Sequence, residues 1–140
     1  MKVTVHSRNL NPKCKMALYG MAEFAMSTLV PSKRLRDNLT LNIHLRHHSN
    51  EGEAKLDSET NRYRPRSFRI YLDHHRMEKN EMTGEERTST EWFVEILKTL
   101  AHELVHVKQY VMGELTWRDA GLLYGFLKVW AGIEAELGIE

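Results

Sequence analysis

The stretch from Thr88 to about Met112 constrains the fold more than any other part of the chain. At about 100° per residue, Phe93, Ile96, Leu97, Leu100, Leu104, Val107 and Val111 fall on one side of a helix. Glu95, Thr99, His102, His106 and Gln109 fall on the other. Thr88 or Thr90 can cap its start, and Glu91, three residues after Thr88, completes a capping box. Gly113 supplies a stop. A helix with one continuous apolar side needs a sheet or other helices to cover it.

The rest of the chain offers that cover. Met16, Ala17, Leu18, Met21, Phe24, Ala25 and Leu29 recur at helical spacing from about Lys13 to Val30. Pro31 ends this helix, because the residue before a proline avoids helical geometry. From Leu39 to Arg46 the chain alternates: Leu39, Leu41, Ile43 and Leu45 on one face, Thr40, Asn42, His44 and Arg46 on the other. Ser67 to Asp73 alternates again, with Phe68, Ile70 and Leu72 inward. The polar segment Ser49 to Pro65 reads as a long loop or hairpin tip between two paired strands, and Glu78 to Thr88, with Gly84, as a loop. The tail from Trp117 to Glu140 has the apolar content of one more packed helix, although Gly121, Gly125, Gly132 and Gly138 interrupt it. Together these elements predict a single α+β domain over residues 1–140, a small antiparallel or mixed sheet with helices at both chain ends packed on the Thr88 helix.

Composition narrows the function classes. A chain of 140 residues, 41% hydrophobic, can bury one core without covalent staples. Cys14 is the only cysteine, so an internal disulfide and a thiolate-based zinc site are both excluded. No apolar run approaches the ~20 residues of a membrane span, and the first fifteen residues hold no apolar signal core. The expected compartment is a reducing cytoplasm. Charge is uneven. Up to residue 50 eight basic residues face only Glu23 and Asp37, giving +6, and the remainder carries −5. Such a segment can meet a nucleic acid or an acidic partner, and a solvated basic face is the plainer reading.

The chemistry lies in His102-Glu103-Leu104-Val105-His106. Histidines four apart on a helix project from adjacent turns of one face, so both imidazoles can hold one metal ion. Glu103 is offset from both by part of a turn, which suits a general base acting on a metal-activated water rather than a third ligand. Zinc brings the pKa of a water it binds to about 7. A metzincin would have Gly at 109 and His at 112, where this chain has Gln109 and Met112. A peptide deformylase would need a cysteine ligand, and Cys14 sits in no such pattern. A glutamate from a following helix remains. Glu134 is the first choice and Glu136 the second, with Glu114, Asp119 or an upstream histidine also open. His44, His47 and His48 after one strand, and His74 and His75 after the other, would approach each other if the strands pair; exposed loop-end histidines are the simpler reading. Tyr110 or Tyr124 could donate to an oxyanion, or simply pack.

Thr99-Leu-Ala-His-Glu-Leu-Val-His-Val-Lys-Gln-Tyr-Val-Met-Gly-Glu-Leu115 resembles the active helix of small SprT-like zincins and minigluzincins of phages and prokaryotes. Upstream, Arg64-Pro65 before an alternating strand is similar to that family. Downstream, Trp117 and Trp130-Ala-Gly-Ile-Glu-Ala-Glu136 resemble its Trp and its Pro-Trp-Glu-x-Glu-Ala segment, with Val129 in place of the proline and a register slip of one or two residues. The resemblance implies a zincin-like fold, one catalytic zinc ion, and hydrolysis of a peptide or protein substrate, in the host cytoplasm if phage-encoded. It leaves two other readings open: a zinc-binding module with weak or no turnover, and a DNA-associated SprT-like protease.

Overall fold

A computed structural model describes residues 1–8, 10–46, 52–57, 65–74, 83–86, 88–113 and 127–135. The element order is β1 (Lys2–His6), α1 (Pro12–Leu29), α2 (Lys33–Asp37), β2 (Thr40–Leu45), β3 (Gly52–Leu56), β4 (Ser67–Leu72) and α3 (Ser89–Val111). A further helix, α4, covers 127–135. The architecture is α+β, with a mixed four-stranded sheet in the order β1-β2-β4-β3.

The two strands expected to form a hairpin do not. β2 and β4 are parallel, with Thr40 opposite Ser67 and Leu45 opposite Leu72. Alternation fixes which face a strand buries and says nothing about the direction of its partner. The partners it misses are β1, parallel to β2, and β3, which lies inside the segment expected to be loop and runs antiparallel to β4. With β1 and β3 at the edges, Leu41, Ile43, Phe68, Ile70 and Leu72 are fully shielded from solvent at the centre of one face.

That face and the helices share one core. α1 begins at Asn11, whose side chain accepts the Lys13 N–H at 2.8 Å, with Pro12 in the first turn. It buries Leu18, Ala22, Ala25, Met26 and Leu29. The stripe is displaced from the one expected: Met16 is 73% exposed, because the face swings toward Ala22 and Met26. α3 begins as the sequence requires. Thr88 Oγ1 accepts the Glu91 N–H at 3.2 Å, and Glu91 Oε1 accepts the Thr88 N–H at 3.1 Å. Ile96, Leu97, Leu100, Leu104 and Val107 are buried against the sheet and α1. Val129 and Ile133 of α4 complete the core, and Gly132 lies so close to the Phe24 ring that no Cβ would fit. Among the described residues no helix is long and apolar enough to cross a membrane.

Candidate metal centre

Three side chains of α3 converge. The ligand atoms of His102, Glu103 and His106 all lie within 4.8 Å of one another, the sole such group of histidine, cysteine and acidic residues among those described. The two imidazole rings sit edge to face, with centroids 5.1 Å apart. They are one turn apart on a helix whose opposite side is locked in the core, so their spacing is set by the backbone rather than by loop conformation.

Their surroundings favour the neutral, metal-binding form of both imidazoles. Partial burial pushes His102 below the ordinary histidine range, and the charge of His106 adds to this. Burial also lowers His106, partly opposed by a hydrogen bond that its ring donates to Gln109. That bond joins His106 Nδ1 and Gln109 Oε1 at 3.2 Å. An amide oxygen only accepts, so Nδ1 is the nitrogen carrying hydrogen, and the Nε2 lone pair is left for a ligand bond. Gln109 is a candidate positioning residue that the sequence reading missed. The position was weighed only for the glycine that another motif would place there, although a hydrogen-bonding side chain three residues after a ligand histidine is within reach of its ring.

Glu103 stands apart in its environment. It is 6% exposed, one of two buried acidic residues among those described, the other being Asp73. Burial raises its pKa to about 7, and the charge of Glu53 on β3 acts in the same direction, while a hydrogen bond from the Ala54 backbone works the other way. A cation bound beside it would lower it again. The edge strand β3 is therefore built over the carboxylate, and Gly52 is what allows the approach. A Cβ at Gly52 would lie 2.5 Å from Thr99 Cγ2 and 3.1 Å from Glu103 Oε1. Thr99 is held in place by its hydroxyl, which donates to the Glu95 carbonyl at 2.9 Å.

The donor set fits a borderline divalent ion such as zinc: two neutral imidazoles, and a carboxylate that can serve as ligand or base. The other candidates are placed as follows. Glu134 is half-buried on α4 and stands outside the three-residue group. α4 meets α3 where Lys98 Nζ lies 5.5 Å from the Trp130 ring, one turn before both His102 and Glu134 in their respective helices. Tyr110 packs on Phe68, with ring centroids 6.1 Å apart. His44 stacks on His6 across β1 and β2, away from α3, and the His74 carbonyl accepts the Trp92 indole N–H at 2.9 Å, pinning the start of α3 to the end of β4. Glu136, Glu114, Asp119, Trp117, Tyr124, His47, His48 and His75 lie outside the described residues. No family model, curated protein or solved structure matches the chain.

Proposed function

We propose that this protein is a zinc-dependent metallopeptidase of the small SprT-like, minigluzincin type. His102 and His106 hold the metal, Glu103 is the general base, and Glu134 is the third ligand. The observation that carries the reading is the meeting of two imidazoles and one buried carboxylate on a helix anchored by its other face. When bound, the zinc would polarise the scissile carbonyl and make water a competent nucleophile near neutral pH.

The chain's own residues do the remaining work. Gln109 fixes the His106 ring and its tautomer. Glu103, buried beside the two imidazoles, is placed to accept a proton from the attacking water and return it to the leaving amine. β3 is an edge strand, and its outer backbone groups can pair with an extended peptide beside Glu103. A second reading, a metal-binding module without turnover, draws support from the place of Glu134 outside the three-residue group.

Metal analysis of protein purified without added zinc, combined with cleavage of a labelled unstructured protein, separates the two. On the peptidase reading the wild type carries one zinc and cleaves, while Glu103→Gln keeps the zinc and loses cleavage. Zinc without cleavage in the wild type establishes the binding module. Absence of zinc refutes both readings.

A further inference from the structure

Each edge of the sheet has an outward backbone donor that another part of the chain already occupies. On β1, the Lys2 N–H donates to the Leu39 carbonyl at 2.9 Å. The backbone groups of Lys2, Thr4 and His6 therefore face β2, and those of Val3 and Val5 point outward. The Val5 N–H is taken by the Tyr19 hydroxyl of α1 at 3.2 Å. On β3, the Asp57 N–H donates to the Ser67 carbonyl at 2.9 Å. Glu53, Lys55 and Asp57 therefore face β4, while Gly52, Ala54 and Leu56 turn their N–H and C=O groups off the edge. The Ala54 N–H is taken by the Glu103 carboxylate.

The two caps differ in what they hold back. Tyr19 lies on α1, away from the metal centre, and blunts an edge that would otherwise invite pairing. Glu103 belongs to the metal centre itself. A carboxylate shut away from water needs a donor, and an outward N–H on an edge strand needs an acceptor, so each satisfies the other. The fit is close. A Cβ at Gly52 would fall 3.1 Å from Glu103 Oε1, so glycine lets the strand backbone reach the carboxylate. An extended peptide adding to the outer side of β3 would use these same groups. In either direction of pairing, a peptide carbonyl comes to the Ala54 N–H. One N–H cannot serve a carboxylate and a peptide carbonyl at full strength.

We propose, building on the peptidase reading, that Glu103 and an incoming peptide compete for the Ala54 N–H, so that strand addition on β3 frees the carboxylate toward His102 and His106. The edge strand is then a latch worked by the substrate. In the empty cleft the base is held against β3, and the chain it is to act on releases it. The distance to cover is short, because the ligand atoms of His102, Glu103 and His106 already lie within 4.8 Å of one another. Leu56 points its N–H off the same edge without reaching the metal centre, so its amide is an internal reference.

Amide hydrogen exchange followed by NMR on the full chain, in chelator, reads the latch. The Ala54 amide should be protected in the wild type and exchange about 10- to 100-fold faster in Glu103→Ala, the range expected for a hydrogen bond to a charged group. The Leu56 amide should be unchanged. Anisotropy with fluorescein-labelled casein, an unstructured chain, reads the competition in the same buffer: Glu103→Ala should bind it about tenfold more tightly than the wild type, as expected when one such bond no longer has to be displaced. Ala54→Pro removes the N–H, and an edge strand tolerates proline where that group faces outward. In this background Glu103→Ala should bring no gain in binding. With zinc restored, Ala54→Pro should raise KM for casein and leave kcat unchanged, because the peptide loses a bond and the base has no latch to leave. A fall in kcat at unchanged KM would show that the bond positions the base during turnover, and refutes the latch. Equal Ala54 exchange or equal casein affinity in wild type and Glu103→Ala refutes it too, as does a gain in affinity that persists with Ala54→Pro. Absence of zinc or of cleavage in the wild type removes the peptidase reading and the latch with it; zinc and cleavage with an unprotected Ala54 amide remove the latch alone.

Discussion

Glu103 offers the sharpest test of how the site is built, because its burial has a thermodynamic signature in the metal-free protein. Its pKa rises from an ordinary 4.5 to about 7 in the fold. Between those values the folded chain holds a proton that the unfolded chain has released, so stability falls as pH rises. The sign is opposite to that of a salt-bridged carboxylate. The penalty is absent below pH 4.5, grows through the interval, and is complete above about 7. At about 1.4 kcal/mol per pH unit, the charged carboxylate costs the fold about 3 kcal/mol at pH 8. Glu103→Gln removes the charge and keeps an acceptor for the Ala54 N–H. In chelator, then, the variant should be the more stable protein at pH 8, by up to about 3 kcal/mol or roughly 10 °C in Tm, with the advantage fading toward pH 4.5. Urea or thermal unfolding of both proteins across this range measures it, and taking the difference cancels the other titrating groups. A gap that does not vary with pH would show that Glu103 is not a buried carboxyl in the metal-free fold.

Three other outcomes follow from the same geometry. Gly52→Ala should cost about 1–3 kcal/mol by overpacking, and Thr99→Ser, which deletes the methyl the new Cβ meets, should recover part of it in a double-mutant cycle read by urea unfolding. Gln109→Leu should weaken zinc binding by about 10- to 100-fold with the helix content unchanged, measured by competition with a chromophoric chelator and by circular dichroism. Thr88→Ala should lower stability by about 1 kcal/mol through loss of the cap on α3, visible as a shift in the urea midpoint at constant slope.

Parts of this molecule are legible in sequence because local rules agree there. α3 has periodicity, a capping box and a terminal glycine in one stretch, and β2 and β4 alternate without a break. β3 is hidden because Gly52-Glu53-Ala54-Lys55-Leu56 holds no β-branched or aromatic residue; its pairing with β4 and its docking on α3 make it a strand. β1 shows two valines in alternation, too short a pattern at a chain end to stand alone. At the site, the grouping of His102, Glu103 and His106 could be read from spacing. The burial of Glu103 could not, since it depends on a strand that is itself invisible. The stack on the outer side of the sheet was half legible: His44 was placed on the polar side of its strand, but its stacking partner His6 comes from β1.

The site also divides by how its parts are connected along the chain. His102 and His106 are neighbours through one helical turn, so any helical excursion of an unfolded chain brings them together. The cover over Glu103 requires β3, some fifty residues upstream by sequence number. On the proposed reading, zinc would therefore find a weak foothold on chains that have not folded, and the stabilisation it lends would be smaller than its affinity for the native protein alone would give. On the proposed reading, first capture of the metal and competence to use it are thus separable: the first begins on one helix, the second needs the strand that covers Glu103.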